Sequence, residues 1–168
     1  MNEAVEDEHV EAVISAVRDV TGFPVDFENI SSGAKGYYSY GEQRIVIQEN
    51  LSGAQAVKTA IHECAHALLH DPDKKLPTAN TSRSDKEVQA ESVAYIVASR
   101  YGIDTSDYSF PYIASWSQGK QLEQLNRFLN EIQETARTIC DAIDAELQTL
   151  SENQTEEQTE DEFLGLAM

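Results

Sequence analysis

The chain has 168 residues, enough for one domain with its own core, and its formal charge of −18 argues against direct contact with nucleic-acid phosphate, which needs clustered lysine and arginine. No apolar run approaches the roughly 18 residues that span a bilayer. The acidic start, "MNEAVEDEHVEAV", has neither a signal peptide's apolar stretch nor a transit peptide's arginines, so a cytoplasmic protein with no membrane contact is expected.

From about Glu3 to Val20, Val5, Val10, Val13, Ile14, Val17 and Val20 recur at helical spacing, and Thr21-Gly22 followed by Pro24 ends that helix. The run Tyr37 to Tyr40 is short and aromatic. "RIVIQ", Arg44 to Gln48, is β-branched and alternating, and Gly41-Glu42 between the two makes a turn, which predicts a β-hairpin. Ser52 with Gln55 after it is a capping-box pair opening a helix to about His70, stopped by Asp71-Pro72. A proline-containing loop follows, then a helix from Ser84 to Gly102, then a short helical turn in "YIASWSQ". From about Lys120 to Leu150 a long amphipathic helix, broken at most once, lines up Leu122, Leu125, Phe128, Leu129, Ile132, Ile139, Ile143 and Leu147.

This order predicts an α+β fold: a compact, mostly helical domain over residues 1–150, with a small hairpin or sheet beside the second helix. Residues 151–168, "SENQTEEQTEDEFLGLAM", are expected to be an acidic, disordered tail, able to engage a protein partner through "FLGLAM". Cys64 and Cys140 are read as separate buried thiols, with Cys64 turned away from the polar side of its helix.

The second helix carries "AIHECAHALLHD", with His62, Glu63 and His66 in the order H-E-x-x-H. Histidines at i and i+4 share a helix face, about 40° apart in projection and roughly 6 Å apart along the axis. Both imidazoles can reach one zinc ion, and Glu63 beside them can reach a water on it and act as general base. Ala60, Ile61, Ala65, Leu68 and Leu69 mark this helix as largely buried, so its polar trio needs partners that a metal supplies. A catalytic zinc site takes a third protein ligand. Glu87 and Glu91, one turn apart in "EVQAESVA", offer one carboxylate for the metal and one to orient a ligand histidine through its free ring N–H. Glu87 has a second possible role, closing a capping box on Ser84. His70 continues the series, about 12 Å along the axis from His62, and is read as a helix C-terminal histidine interacting with the helix dipole.

The order E-x-x-A-E-x-x-A is similar to the glutamate motif of gluzincin-type peptidases, which implies Glu87 as ligand and Glu91 as its support. More broadly, "AKGYYSYGEQRIVIQENLSGAQAVKTAIHECAHALLHD" with "KEVQAESVAYIVASRYGIDTSDYSFPYIASW" resembles the zincin-like metallopeptidase domain of ArdC-type antirestriction and LtrC-like proteins, and more distantly the ImmA/IrrE peptidases. The resemblance covers about Ala34 to Trp116. It implies a zincin-like fold from a mobile element or its bacterial host, and a strand before the motif helix, here Arg44 to Gln48, that pairs with the substrate backbone. It also implies an oxyanion-stabilising side chain, with Tyr112 and Tyr95 as candidates. ArdC-type proteins carry a separate N-terminal DNA-binding domain, whereas here a short acidic helix precedes the hairpin.

The expected function is therefore a zinc-dependent peptidase acting on a peptide or a specific intracellular protein. A zinc-stabilised regulatory module without proteolysis is one alternative, disfavoured because ligands and general base are all present. An acidic DNA-mimic antirestriction protein is another, motivated by the charge and disfavoured because much of that charge sits in the tail.

Overall fold

A computed structural model describes residues 7–72, 82–106 and 116–166. Helix α1, Asp7–Thr21, buries Ala12, Val13, Ile14, Ala16 and Val17 on one face, and carries Asp7 and Glu8 in its first turn and Arg18 in its last, as the helix dipole favours. Gly22 ends it in the left-handed region, φ 71°, donating its N–H to the Arg18 carbonyl.

Three strands follow: β1, Val25–Glu28, β2, Gly36–Ser39, and β3, Arg44–Gln48. The predicted hairpin is present, with β2 and β3 antiparallel; the left-handed turn position is taken by Gln43, φ 51°. Strand β1 was not legible in the sequence. It pairs parallel to β3, which gives the sheet order β1-β3-β2. β3 is therefore the central strand, and its Ile45, Val46 and Ile47 are fully buried. This corrects one expectation: Arg44 to Gln48 cannot pair with a substrate, because neighbours already occupy both edges. The open edges belong to β1 and β2.

Helix α2, Gly53–Leu69, starts at Ser52, whose hydroxyl accepts from the Gln55 N–H, and ends at His70. Val57, Ala60, Ile61, Cys64 and Ala65 are buried, and α2 packs against α1, the sheet and both later helices. The small residues on this face let its neighbours approach closely.

Helix α3, Arg83–Arg100, is capped by Ser82 in a full capping box with Asp85. The expected pairing of Ser84 with Glu87 is thus displaced by two residues, and Glu87 is released from a capping role. Asp85 is buried, bonded to Trp116 Nε1 at 2.6 Å and paired with Lys120 Nζ at 2.9 Å, which ties the start of α3 to the approach to the last helix. Burial would raise the Asp85 pKa, but Lys120, the Ser82 N–H and Trp116 outweigh it and hold the carboxyl low.

Helix α4, Leu122–Leu166, is one unbroken helix of 45 residues. Phe128, Ile132, Ala136, Ile139, Cys140 and Ile143 face the core, and Phe128 packs on Trp116 with ring centroids 5.6 Å apart. Past Leu150 the expected disordered tail is instead helix through Leu166, exposed as far as Gly165. Glutamate, glutamine and threonine dominate there and no glycine or proline intervenes before Gly165, so the backbone ladder runs on beyond the last core contact. Gln154 Nε2 donates to Glu8 of α1 at 2.8 Å. Among the described residues, no helix is long and apolar enough to cross a membrane.

Candidate metal centre

Helices α2 and α3 lie side by side, so the polar flank of α2 meets the glutamates of α3. His62 Nε2 and His66 Nε2 are 3.2 Å apart. Glu87 spans them, with Oε2 3.4 Å from His62 Nε2 and Oε1 3.1 Å from His66 Nε2. A tetrahedral cation with bonds of about 2.0–2.1 Å holds its ligands about 3.3 Å apart. The three side chains, which together offer ligand atoms all within 4.8 Å of one another, fit one small metal ion.

Glu91 Oε2 lies 3.3 Å from the outer nitrogen, Nδ1, of His62. The two glutamates thus take different places, Glu87 on the inner nitrogens and Glu91 behind one ring. Cys64 is buried in the core and is not among the converging atoms.

The electrostatics follow from this packing. Burial disfavours a charged His62, but Glu87, Glu91 and the field of Glu63 outweigh that and push its pKa up to about 10. Hydrogen bonds from His62 and then His66 hold Glu87 well below the usual carboxylate range. Burial lifts Glu63 above its ordinary value, an effect reinforced by the Glu87 charge and tempered by His62, His66 and the backbone N–H of Tyr38, which donates to it.

An open cleft of about 360 Å³ runs past the site, lined by Lys35 and Gly36 at the start of β2, by Gln55, Lys58, Thr59, His62 and Glu63 of α2, and by Glu91 of α3. The Gln48 N–H bonds the Lys35 carbonyl at 2.8 Å. By antiparallel alternation, Gly36 and Tyr38 then point their backbone groups away from β3, towards the free edge. Gly36 sits hard on α2: a Cβ there would lie 2.5 Å from Thr59 Cγ2, 2.9 Å from the Val46 carbonyl oxygen and 3.6 Å from Glu63 Cγ. Gly36→Ala is expected to lift β2 from α2 and lower stability by about 1–3 kcal/mol, read from a denaturant midpoint. An unchanged midpoint would show that the strand yields freely.

His70 is more than a helix-end histidine. It caps α2 as expected, but its Nδ1 lies 2.9 Å from His66 Nδ1 and its Nε2 lies 2.9 Å from Gln89 Oε1. Burial pushes its pKa down to about 4, with Gln89 opposing and the field of His66 assisting. Gln89 Nε2 donates to Glu131 of α4 at 2.7 Å. Sequence reasoning missed Gln89, Glu131 and Gly36. Gln89 alone left a signal, as a polar residue in the stripe of Ala90, Val93, Ala94 and Val97. Of the oxyanion candidates, Tyr95 is partly exposed on α3 and does not line the cleft, while Tyr112 lies outside the described residues.

Comparisons with known proteins bear on the fold and the family. A 35% identical match over 108 residues links the chain to an uncharacterized protein of Bacillus anthracis, covering 64% of this chain and 18% of that relative. The solved metal-free structure of the antirestriction protein ArdC of the R388 plasmid is similar with a TM-score of 0.50 and 22% identity, over 89% of this chain and 53% of that one; at that identity the likeness concerns the fold. The chain thus spans about half the ArdC chain and less than a fifth of the Bacillus anthracis protein. The model of the IrrE N-terminal-like domain, the M78 peptidase family, matches residues 18–147, from the end of α1 through the core-facing part of α4 and across the whole His62–His66–Glu87 cluster. The chain belongs to the IrrE N-terminal-like, M78 peptidase family.

Proposed function

We propose that this domain is a zinc-dependent peptidase that hydrolyses peptide bonds in a specific protein. The observation that carries this reading is the convergence of His62, His66 and Glu87 beside a cleft that His62 and Glu63 line. Two imidazoles and a carboxylate at tetrahedral spacing suit zinc. When bound, zinc supplies Lewis acidity, lowering the pKa of water and polarising the scissile carbonyl.

The chain's own residues do the rest. His62, His66 and Glu87 would hold the ion, and Glu91 orients the His62 ring. Glu63 takes the proton of the attacking water and passes it to the leaving amine; a carboxylate raised by burial is better matched to that exchange near neutral pH than an exposed one. The free edge of β2 offers the Gly36 backbone groups to an extended peptide lying along the cleft.

Because His62 is held charged up to about pH 10 without a metal, zinc must displace its proton. Zinc uptake near neutral pH is expected to release about one proton, measured by calorimetry in two buffers of different ionisation heat. No proton release would contradict the assigned electrostatics. Hydrolysis itself is tested by incubating zinc-loaded protein with a proteome-derived peptide mixture beside Glu63→Gln, with new peptide termini read by mass spectrometry. Termini formed by the wild type alone support the peptidase; identical sets from both proteins, or none, oppose it.

An antirestriction role through DNA mimicry has one observation in its favour, the exposed acidic stretch of α4 from Ser151 to Gly165 in a chain with an ArdC-like fold. Truncation after Leu150 separates the readings: mimicry is lost, whereas peptidase activity stays.

A further inference from the structure

We infer that Lys35 and Lys58 form a subsite in the cleft for a carboxylate of the peptide substrate, that of an acidic side chain or of the chain end. The inference deepens the peptidase reading above and rests on it for the cutting. On α2 the cleft-facing residues are Gln55, Lys58, Thr59, His62 and Glu63, which follow one helix face at i, i+3, i+4, i+7 and i+8. Every one is polar. Among the described residues, no aliphatic or aromatic residue lines the cleft. An apolar substrate residue would gain little there, because it binds by leaving water for apolar surface.

The cleft's two carboxylates already have roles, Glu63 on the attacking water and Glu91 behind His62. Its two cations have none in the chemistry. They come from separate segments, Lys35 beside β2 and Lys58 on α2, and line one cleft of a chain that has 12 lysines and arginines against 30 acidic residues. Lys58 is half-buried, and its Nζ donates to the Asp104 carbonyl at 3.2 Å, which steadies the ammonium against the segment after α3. A neutral carbonyl does not cancel the charge, and an ammonium has three N–H groups to give. The Asp104 carboxylate accepts from the Ser106 N–H at 2.9 Å. The net charge of the chain works against acidic ligands at a distance, but it is screened beyond about 8 Å at physiological salt, whereas the two ammoniums act at contact. Lys58 precedes His62 by one turn, about 6 Å along the axis, the span of about two residues of extended peptide. With the reach of the lysine stem, the bound carboxylate falls within about three residues of the scissile bond.

Two measurements on the full chain test this. In the peptide mixture used above, cuts by the zinc-loaded wild type should have aspartate, glutamate or the peptide's own C-terminus within about three residues more often than uncut bonds do. On one such peptide, replacing the acidic residue by its amide, or amidating the C-terminus, identifies the source. One of the two should lower kcat/KM by about 3- to 30-fold, between an exposed ion pair and a buried charged hydrogen bond. In the double variant Lys35→Gln, Lys58→Gln the same change should make no difference. Cuts without such enrichment, or a preference that persists in the double variant, would overturn the proposal. Independently of cutting, acetyl-Gly-Gly-Glu-Gly-Gly-amide titrated into metal-free protein should shift the backbone amide signals of Gly36 and Lys58 in 1H–15N spectra. Its glutamine counterpart should not, and neither peptide should in the double variant. Equal shifts with both peptides, or none with either, would overturn the subsite. If the wild type cuts no peptide, the peptidase reading fails, and the titration alone decides the subsite.

Discussion

Glu63→Gln is expected to keep its zinc and lose peptide hydrolysis by about 10²- to 10⁴-fold, the usual contribution of a general base. Glu63 lines the cleft, beside His62 and below Gly36, with its carboxylate accepting from the Tyr38 N–H. The amide oxygen of glutamine can keep that hydrogen bond, so the side chain stays in place and only its basicity is removed. The comparison requires a peptide that the wild type cleaves, its kcat/KM in both proteins, and zinc content by elemental analysis. Undiminished hydrolysis would remove Glu63 from the mechanism. Loss of zinc together with activity would mean that the substitution reports on the site's assembly rather than on proton transfer.

Glu87→Ala and Glu91→Ala should differ in kind, although the residues are one turn apart on the same helix. Glu87 reaches both inner nitrogens, and its removal leaves two protein ligands where catalytic zinc sites use three. Glu91 touches His62 Nδ1 from behind, and its removal is expected to weaken zinc by about 10- to 100-fold. Chelator competition on the two variants should place Glu87→Ala clearly below Glu91→Ala. The reverse order would exchange the roles of the two glutamates.

The parts of this fold governed by local rules were legible in the sequence. The apolar spacing of α1, the Ser52 cap and the alternation of "RIVIQ" each act within a few residues, and the corresponding elements are present. The H-E-x-x-H spacing places His62 and His66 together because one helix dictates both positions. Glu87 and Glu91 came from a separate helix, and resemblance rather than spacing assigned their order. Features that depend on packing between distant segments were not legible. β1 buries Val25 but leaves Phe27 largely exposed and is held chiefly by backbone pairing with β3, so it left little pattern, and without it the central place of β3 was invisible. The cap of α3 was misplaced because Ser82-Arg83-Ser84-Asp85 offers two serines, and the one with aspartate three residues on prevailed. At the C-terminal end, charge density argued for disorder, whereas the lack of helix breakers decided the outcome. The link from His66 to Glu131 needs α2, α3 and α4 in register at once, which no single stretch of sequence encodes.

The central claim is that His62, His66 and Glu87 form one zinc site. Native mass spectrometry on untagged protein purified without chelators, then supplied with zinc, tests it most directly. One tightly held zinc per chain in the wild type, absent from His62→Ala, is the predicted result. A folded wild-type protein that takes up no zinc, or a His62→Ala variant that holds it equally well, would contradict the claim.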